Sequence, residues 1–389
     1  MDGKNTFWRG NMPQLELDIF NLNKIMKFTI QQKELLSALS ICTKGIKTSI
    51  TNPVLECFKL SLSEKQCTIT GSCSELYIVK TIPVIKSEYN KDICVNSKKL
   101  LDYIKTLSDQ ELNFEIKPID KGYLVVLKTS SGKIQLPGEE TENYPQTPII
   151  ESHKIEIDSA VLNRAISKTT FACSPDSSMV YSSALVEFGN GINIVGTDAK
   201  TIAVQNVFEN TINLQNCLVR PFILNTISSL GFNGDVNISY SDRWISFDYG
   251  NTIVFGILSE GKFPAYSAFI PENHPIKITV DIDKLTRAVS RVLIVANVKT
   301  GHCVFTFENK QLIVKSSDKT VNQEGSETID CDYDGESFSI GFIGSQITNI
   351  VSKLETDTAT FWLKDEKTVC LIKGDETDVN LFLNVPSVI

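Results

Sequence analysis

From Met26 onward the hydrophobic positions fall into two rhythms, one of period two and one of 3.6. Phe28 and Ile30 alternate with Lys27 and Thr29, the mark of a short strand with one buried face, and Leu35, Leu36 and Leu39 then recur along one helix face. The same succession returns twice: Ile155 and Ile157 before Leu162, Ala165 and Ile166, then Ile278 and Val280 before Leu285, Ala288 and Val289. Asp158-Ser159 and the stretch 281–283 supply side-chain oxygens where those helices begin with unpaired N–H groups. A second helix is expected in each stretch, over 97–106, 221–230 and 345–354. Strands are expected to follow it at 123–128, 244–249 and 368–373. Between 185–188 and 192–195 stands Asn190-Gly191, whose backbone freedom suits a tight hairpin. Each stretch closes near a proline: Pro145, Pro264 and Pro386.

The three stretches align without gaps. Lys27, Leu35, Ala38 and Ser40 correspond to Lys154, Leu162, Ala165 and Ser167, and to Lys277, Leu285, Ala288 and Ser290. The offsets are 127 and 123 residues, the size of a domain and far beyond a solenoid repeat. The reading is an α+β chain of three similar domains, 26–149, 150–272 and 273–389, preceded by an N-terminal extension over 1–25 outside the fold. Each domain runs β-α-β-β-β-β-α-β-β-β, with antiparallel sheets and both amphipathic helices on one side of them.

Composition narrows the function. Among 389 residues, 38 Lys+Arg against 46 Asp+Glu leave a net charge of −8, so the whole surface is not built to grip nucleic acid. No apolar run is long enough to span a membrane, and 1–25 lacks the apolar core of a secretory signal. The ten Cys include no C-x-x-C pair, which argues against zinc and for reduced, buried thiols of a cytoplasmic protein. Three His, no nucleophile elbow, no H-E-x-x-H and no phosphate loop leave no basis for catalysis, a cofactor or a metal.

Several strings then acquire meaning together. Met26-Lys27-Phe28-Thr29-Ile30, Asn52-Pro53-Val54-Leu55, the run from Val195 through Thr197-Asp198 to Ala203, Glu260-Gly261-Lys262-Phe263-Pro264-Ala265-Tyr266, and the tail from Asn384 to Ile389 occur in the order found in the bacterial DNA polymerase III beta subunit, the replicative sliding clamp. With the triplication, the chain from Met26 to its end resembles that family. The resemblance implies three clamp domains forming half of a ring, closed head to tail by a second copy. Helices line the hole and sheets form the outer wall. Duplex DNA is held topologically, without sequence readout, while DNA polymerase III, the clamp loader and other proteins bearing a clamp-binding motif dock outside. The protein would act in the bacterial cytoplasm, on the nucleoid. The alternative is a diverged clamp paralogue that scaffolds proteins with little replicative role.

Residue by residue, the family's peptide pocket maps onto Thr197, Ala199, Lys200, Thr201, Ile202, Pro264, Ala268, Ile343, Gln346, Val385, Pro386, Ser387, Val388 and Ile389. Thr201 stands where the family usually has Arg and Ala199 where it usually has Gly, and Ile343 and Gln346 replace a polar and aromatic pair, so a different peptide preference is expected. The cations expected to face DNA are Lys44, Lys47, Lys98, Lys99, Arg164, Lys168, Arg220, Lys284 and Arg287, with Lys33, Lys105, Arg291 and Lys353 on the same helices; the loop near Ser49 lacks the family's frequent Arg. The apolar run Leu293-Ile294-Val295 is expected at the dimer contact, through Ile294 and Val295.

Overall fold

β1 (Met26–Gln31) runs straight into α1 (Gln32–Cys42), followed by β2 (Cys57–Leu62), β3 (Gln66–Ser72), β4 (Leu76–Pro83), the two-residue β5 (Lys86–Ser87), β6 (Asp92–Asn96), α2 (Ser97–Lys105), β7 (Glu111–Pro118), β8 (Tyr123–Lys128) and β9 (Lys133–Glu139). The second stretch gives β10 (Ile155–Asp158), α3 (Ser159–Thr169), β11 (Ala184–Gly189), β12 (Gly191–Thr197), β13 (Thr201–Phe208), β14 (Cys217–Val219), α4 (Pro221–Ser229), β15 (Asp235–Tyr240), β16 (Trp244–Asp248) and β17 (Thr252–Ser259). The third gives β18 (Ile276–Asp281), α5 (Ile282–Leu293), β19 (His302–Glu308), β20 (Gln311–Asp318), β21 (Gln323–Asp332), β22 (Phe338–Ile343), α6 (Gly344–Val351), β23 (Thr358–Leu363), β24 (Cys370–Lys373) and β25 (Leu381–Asn384). The element order read from the sequence therefore recurs three times, with β5 the one addition. The structure is a computed structural model that describes residues 25–88, 91–150, 154–208, 211, 214–270, 273–375 and 380–388; the extension expected over 1–25, save Ile25, and the pocket residue Ile389 lie outside the described residues.

The expected caps hold two helices. Asp158 accepts from the N–H groups of Ala160 and Val161 at the start of α3, and Asp281 accepts from that of Lys284 at the start of α5. Where α1 ends, a Cβ on Gly71 would overlap the Cys42 carbonyl oxygen; where α3 ends, one on Gly196 would overlap that of Thr169. The same close approach of helix end to strand thus recurs in two repeats, and only glycine admits it.

The chain gathers into two compact units. One holds the first repeat together with Asn237–Gly256; the other holds Lys154–Val236 and the chain from Ile257 onward. In the first, β1 pairs β7 so that Phe28 lies opposite Phe114, their rings stacked at 4.5 Å. The sheet continues antiparallel through β8, β9, β6, β2, β3 and β4, and β4 pairs Thr252–Gly256 of β17.

In the second unit one antiparallel sheet passes from β14 through β11, β12 and β13 into β25, then through β24, β23, β18, β21, β20, β19 and β22. The join is β13 to β25, with Ile202 opposite Leu383 and Ala203 opposite Phe382. Alternation sorts the faces. Ala203, Phe382, Ile372, Phe361 and Ile278 face the cluster that includes Leu285, Val289, Ile347 and Ile350 of α5 and α6, and Phe171 just beyond α3 meets Phe382 at 6.3 Å. The helices therefore share one side of this sheet, as the amphipathic pattern predicts. The other face carries Leu185, Val195, Ile202, Leu218, Leu371 and Leu383, covered in part by Phe263, Tyr266 and Ile270 from the segment following β17.

All ten Cys are free, and eight are buried. Burial pushes the Cys42, Cys67, Cys94, Cys173 and Cys217 thiols up to about 12, so few thiolates form at neutral pH. No helix among the described residues is long and apolar enough to cross a membrane.

Candidate functional site

The turn between β12 and β13 is built by its own side chains. Asp198 Oδ1 accepts from the N–H groups of Lys200 (2.9 Å) and Thr201 (2.6 Å), while Thr197 Oγ1 accepts from the Ala199 N–H and donates to the Thr201 carbonyl at 2.7 Å. Asp198 Oδ1 is thus committed to backbone amides of its own turn. Ala199 sits at φ +70, in the left-handed region where a side chain costs about 1–2 kcal/mol. Glycine adopts that conformation without the cost. Ala199→Gly is expected to raise stability by about 0.5–1 kcal/mol, the relief being partly offset by glycine's greater freedom when unfolded. Urea unfolding with an unchanged slope would measure it.

Three segments meet at this turn. The tail joins because the Val385 N–H donates to the Lys200 carbonyl (2.8 Å) and the Ser387 N–H to the Gly341 carbonyl (2.8 Å) at the end of β22. Gln346, in the first turn of α6, donates to Asp198 Oδ2 (3.2 Å) and accepts from Asn384 Nδ2 (3.0 Å), and Asn384 also donates to Thr201 Oγ1 (3.3 Å). Thr197, Thr201 and Ile202 are buried, Val385 is partly exposed and Val388 is 95% exposed. Ile343 ends β22 half-buried, and Pro264 and Ala268 lie exposed on the segment whose Phe263, Tyr266 and Ile270 pack against the Ile202–Leu383 cluster. Of the sequence-derived set, the turn Thr197–Thr201, Val385 and Gln346 are joined by these bonds, while Ile343, Pro264, Ala268 and Val388 carry no bond to the turn among the described residues. Sequence reasoning missed Asn384, fully buried with its Oδ1 unpaired, because an isolated Asn before a Val-Pro pair carries no signal of its own.

The cations divide differently from the expectation. Lys168 is not available to DNA: its side chain is 5% exposed and its Nζ lies 3.3 Å from Glu355. Glu355, from the residues after α6, also meets Arg164 at 3.4 Å. A buried ammonium needs such a partner, and the partner lies far away in sequence. On α5, Lys284 pairs with Asp330 (3.3 Å), Arg291 with Glu327 (2.6 Å) and Arg287 with Asp283 one turn earlier; on α1, Lys33 pairs with Asp109 at 3.0 Å. The Arg291 guanidinium holds the Glu327 carboxyl below its ordinary value. Lys98, Lys99 and Lys105 on α2 are exposed and carry no ion pair among the described residues. Lys44 lies in a short 3₁₀ turn after α1 with Lys47 in the loop beyond, and Arg220 precedes α4. Lys353 lies over the Phe171 ring at 5.7 Å.

Past the end of α5, Ile294 is 80% and Val298 99% exposed, while Val295 is half-buried against Gly325 of β21. Among the strand edges without a second partner in the described residues are 133–137 of β9, paired only with β8, and 323–330 of β21, paired only with β20.

Comparison with known proteins bears on all of this. Family models describing the DNA polymerase III beta subunit match twice, its N-terminal domain over residues 26–148 and its C-terminal domain over 267–384. A beta sliding clamp of Haemophilus influenzae is 25% identical over 361 residues, covering 90% of this chain and 96% of that protein. One of Pseudomonas putida is 26% identical over 368 residues, covering 93% and 99%. The crystal structure of the DNA polymerase III subunit beta from Pseudomonas aeruginosa superposes with a TM-score of 0.86 at 23% identity, over 94% of this chain and all of that one, which fixes the fold. Two domain matches that together span more than half of the chain, on a scaffold shared nearly from end to end, mean that it belongs to the family of DNA polymerase III beta subunits, the beta sliding clamps of replication.

Proposed function

We propose that two copies of this chain close head to tail into a ring around duplex DNA. The ring would tether DNA polymerase III, its clamp loader and other motif-bearing proteins by their apolar-ended peptides, in the bacterial cytoplasm on the nucleoid. The repeats would act as three domains, 26–149, 150–272 and 273–389. As a member of a processivity-factor family the chain is not an enzyme.

The observation that carries the ring is the pair of unpartnered strand edges on β9 and β21. An exposed edge invites another strand, and a closed dimer removes the hazard. Their charges favour each other: residues 26–149 hold 16 Lys and 14 Asp+Glu, whereas 273–389 hold 12 Lys+Arg and 17 Asp+Glu. Such complementarity steers association and selects the head-to-tail register. Ile294 and Val298 then supply the apolar patch beside β21.

DNA contact would begin with Lys98, Lys99 and Lys105. The exposed pairs of Arg164, Lys284, Arg287 and Arg291 are each worth only ~0–1 kcal/mol, so a phosphate can replace the carboxylate. Contacts of this kind read no sequence and weaken with salt, which suits sliding. The test is topological. Light scattering should give twice 43.3 kDa, and protein loaded on a nicked circle should remain through a salt wash and be lost when the circle is cut. Retention on linear DNA, or a strict monomer at micromolar concentration, would refute the ring.

A further inference from the structure

The peptide site has a neighbour that the family mapping does not include. A cleft of 610 Å³ opens between β11, the residues leading into β14 and the segment 261–267. Leu185, Leu214, Leu218, Phe263 and Pro264 form apolar walls, and Glu187 is its single acidic lining residue. Glu187 is held in place: its Oε2 accepts from Tyr266 Oη at 2.5 Å and from Asn193 Nδ2 at 3.2 Å. Its Oε1 has no partner among the described residues. The volume lies in the range of ligand clefts, and apolar walls around one fixed polar group are what such sites share.

The cleft is continuous with the candidate peptide site. Pro264 belongs to both, and Leu185, Leu218, Phe263 and Tyr266 lie in the same apolar cluster as Ile202 and Leu383. The geometry points to a specificity subsite: the cleft receives an arginine flanking the apolar anchor of a docked partner peptide. This rests on the peptide-pocket reading above. The aliphatic stem of an arginine covers apolar wall while its guanidinium reaches the open carboxylate oxygen. The surrounding charge agrees, since residues 150–272 hold 7 Lys+Arg against 12 Asp+Glu. Lys262, exposed in the same lining, forms no ion pair with Glu187 and opposes the cation from the rim.

The test uses the full chain and two fluorescein-labelled synthetic peptides, each with a central Leu-Phe anchor, one flanked on both sides by arginines and the other by glutamines. Fluorescence anisotropy should give the arginine peptide about tenfold tighter binding at low ionic strength, with the gap narrowing in salt. Glu187→Gln should close the gap and leave the glutamine peptide unchanged; Lys262→Ala, an exposed position that spares the fold, should widen it. Equal binding of both peptides to the wild-type chain would overturn the subsite while leaving the pocket intact. An arginine preference that survives Glu187→Gln and ignores Lys262→Ala would assign it to the general acidity of the chain and overturn the subsite as well. Failure of both peptides to bind would remove the pocket reading and the subsite together.

Discussion

Ile294→Arg is expected to turn the dimer into a monomer and abolish retention on circular DNA. Ile294 is 80% exposed in the single chain, so the substitution should leave the fold within about 0.5 kcal/mol of its original stability. In the ring the side chain would be covered, which contributes ~1.5–3 kcal/mol at each contact. Arginine forfeits that gain, leaves a buried cation without a partner and sets it against the more basic first repeat of the other copy. A combined loss of about 4 kcal/mol corresponds to roughly a thousandfold weaker closure. Ile294→Val should remain dimeric, which separates burial from any need for isoleucine itself. Light scattering across a dilution series reads both. A dimer that tolerates the arginine would place the contact elsewhere and leave Ile294 as ordinary exposed surface.

Local signals were legible and long-range ones were not. The alternation at Phe28/Ile30 and the carboxylates of Asp158 and Asp281 act within a few residues, and their elements formed where the pattern placed them. The Asn190-Gly191 signal likewise marks the hairpin: Asn190 alone separates β11 from β12, whose first residue Gly191 has φ +113. Lys168 shows the limit. The sequence placed it among the cations facing DNA, but Glu355, nearly two hundred residues later, lies beside its Nζ while the lysine side chain itself is buried. The same holds for α5, whose cations look free until β21 brings Glu327 and Asp330 beside them. In the pocket the turn Thr197–Thr201 was visible as a string; the bonds from Gln346 and Asn384 that hold it depend on the joining of β13 to β25. The cleft at Glu187 was invisible for the same reason, since its walls come from three separate stretches of chain.

Removing residues 385–389 should cost about a hundredfold in affinity for a Leu-Phe-anchored peptide while the protein stays dimeric. The tail lies against the turn through one bond at Lys200 and one at Gly341. Each backbone bond is worth about 0.5–1.5 kcal/mol net, so its loss lowers stability by a few kcal/mol at most and leaves the sheet standing. What holds the sheet precedes the deletion: β25 ends at Asn384, whose bonds to Thr201 and Gln346 remain. The binding surface suffers more. Val385 and Val388 present apolar area that an incoming peptide would cover, and two such side chains at about 1.5 kcal/mol each amount to two decades of affinity. Val388→Ser is the milder companion, because a side chain 95% exposed contributes little to the free protein; it should weaken binding about tenfold with an unchanged melting temperature. The proposed dimer contact uses β9, β21 and Ile294, and none of these touches the tail through any bond described above. Loss of peptide binding together with dimerisation would therefore mean that the tail supports the ring itself, and full retention of peptide affinity would mean that partners dock on another surface.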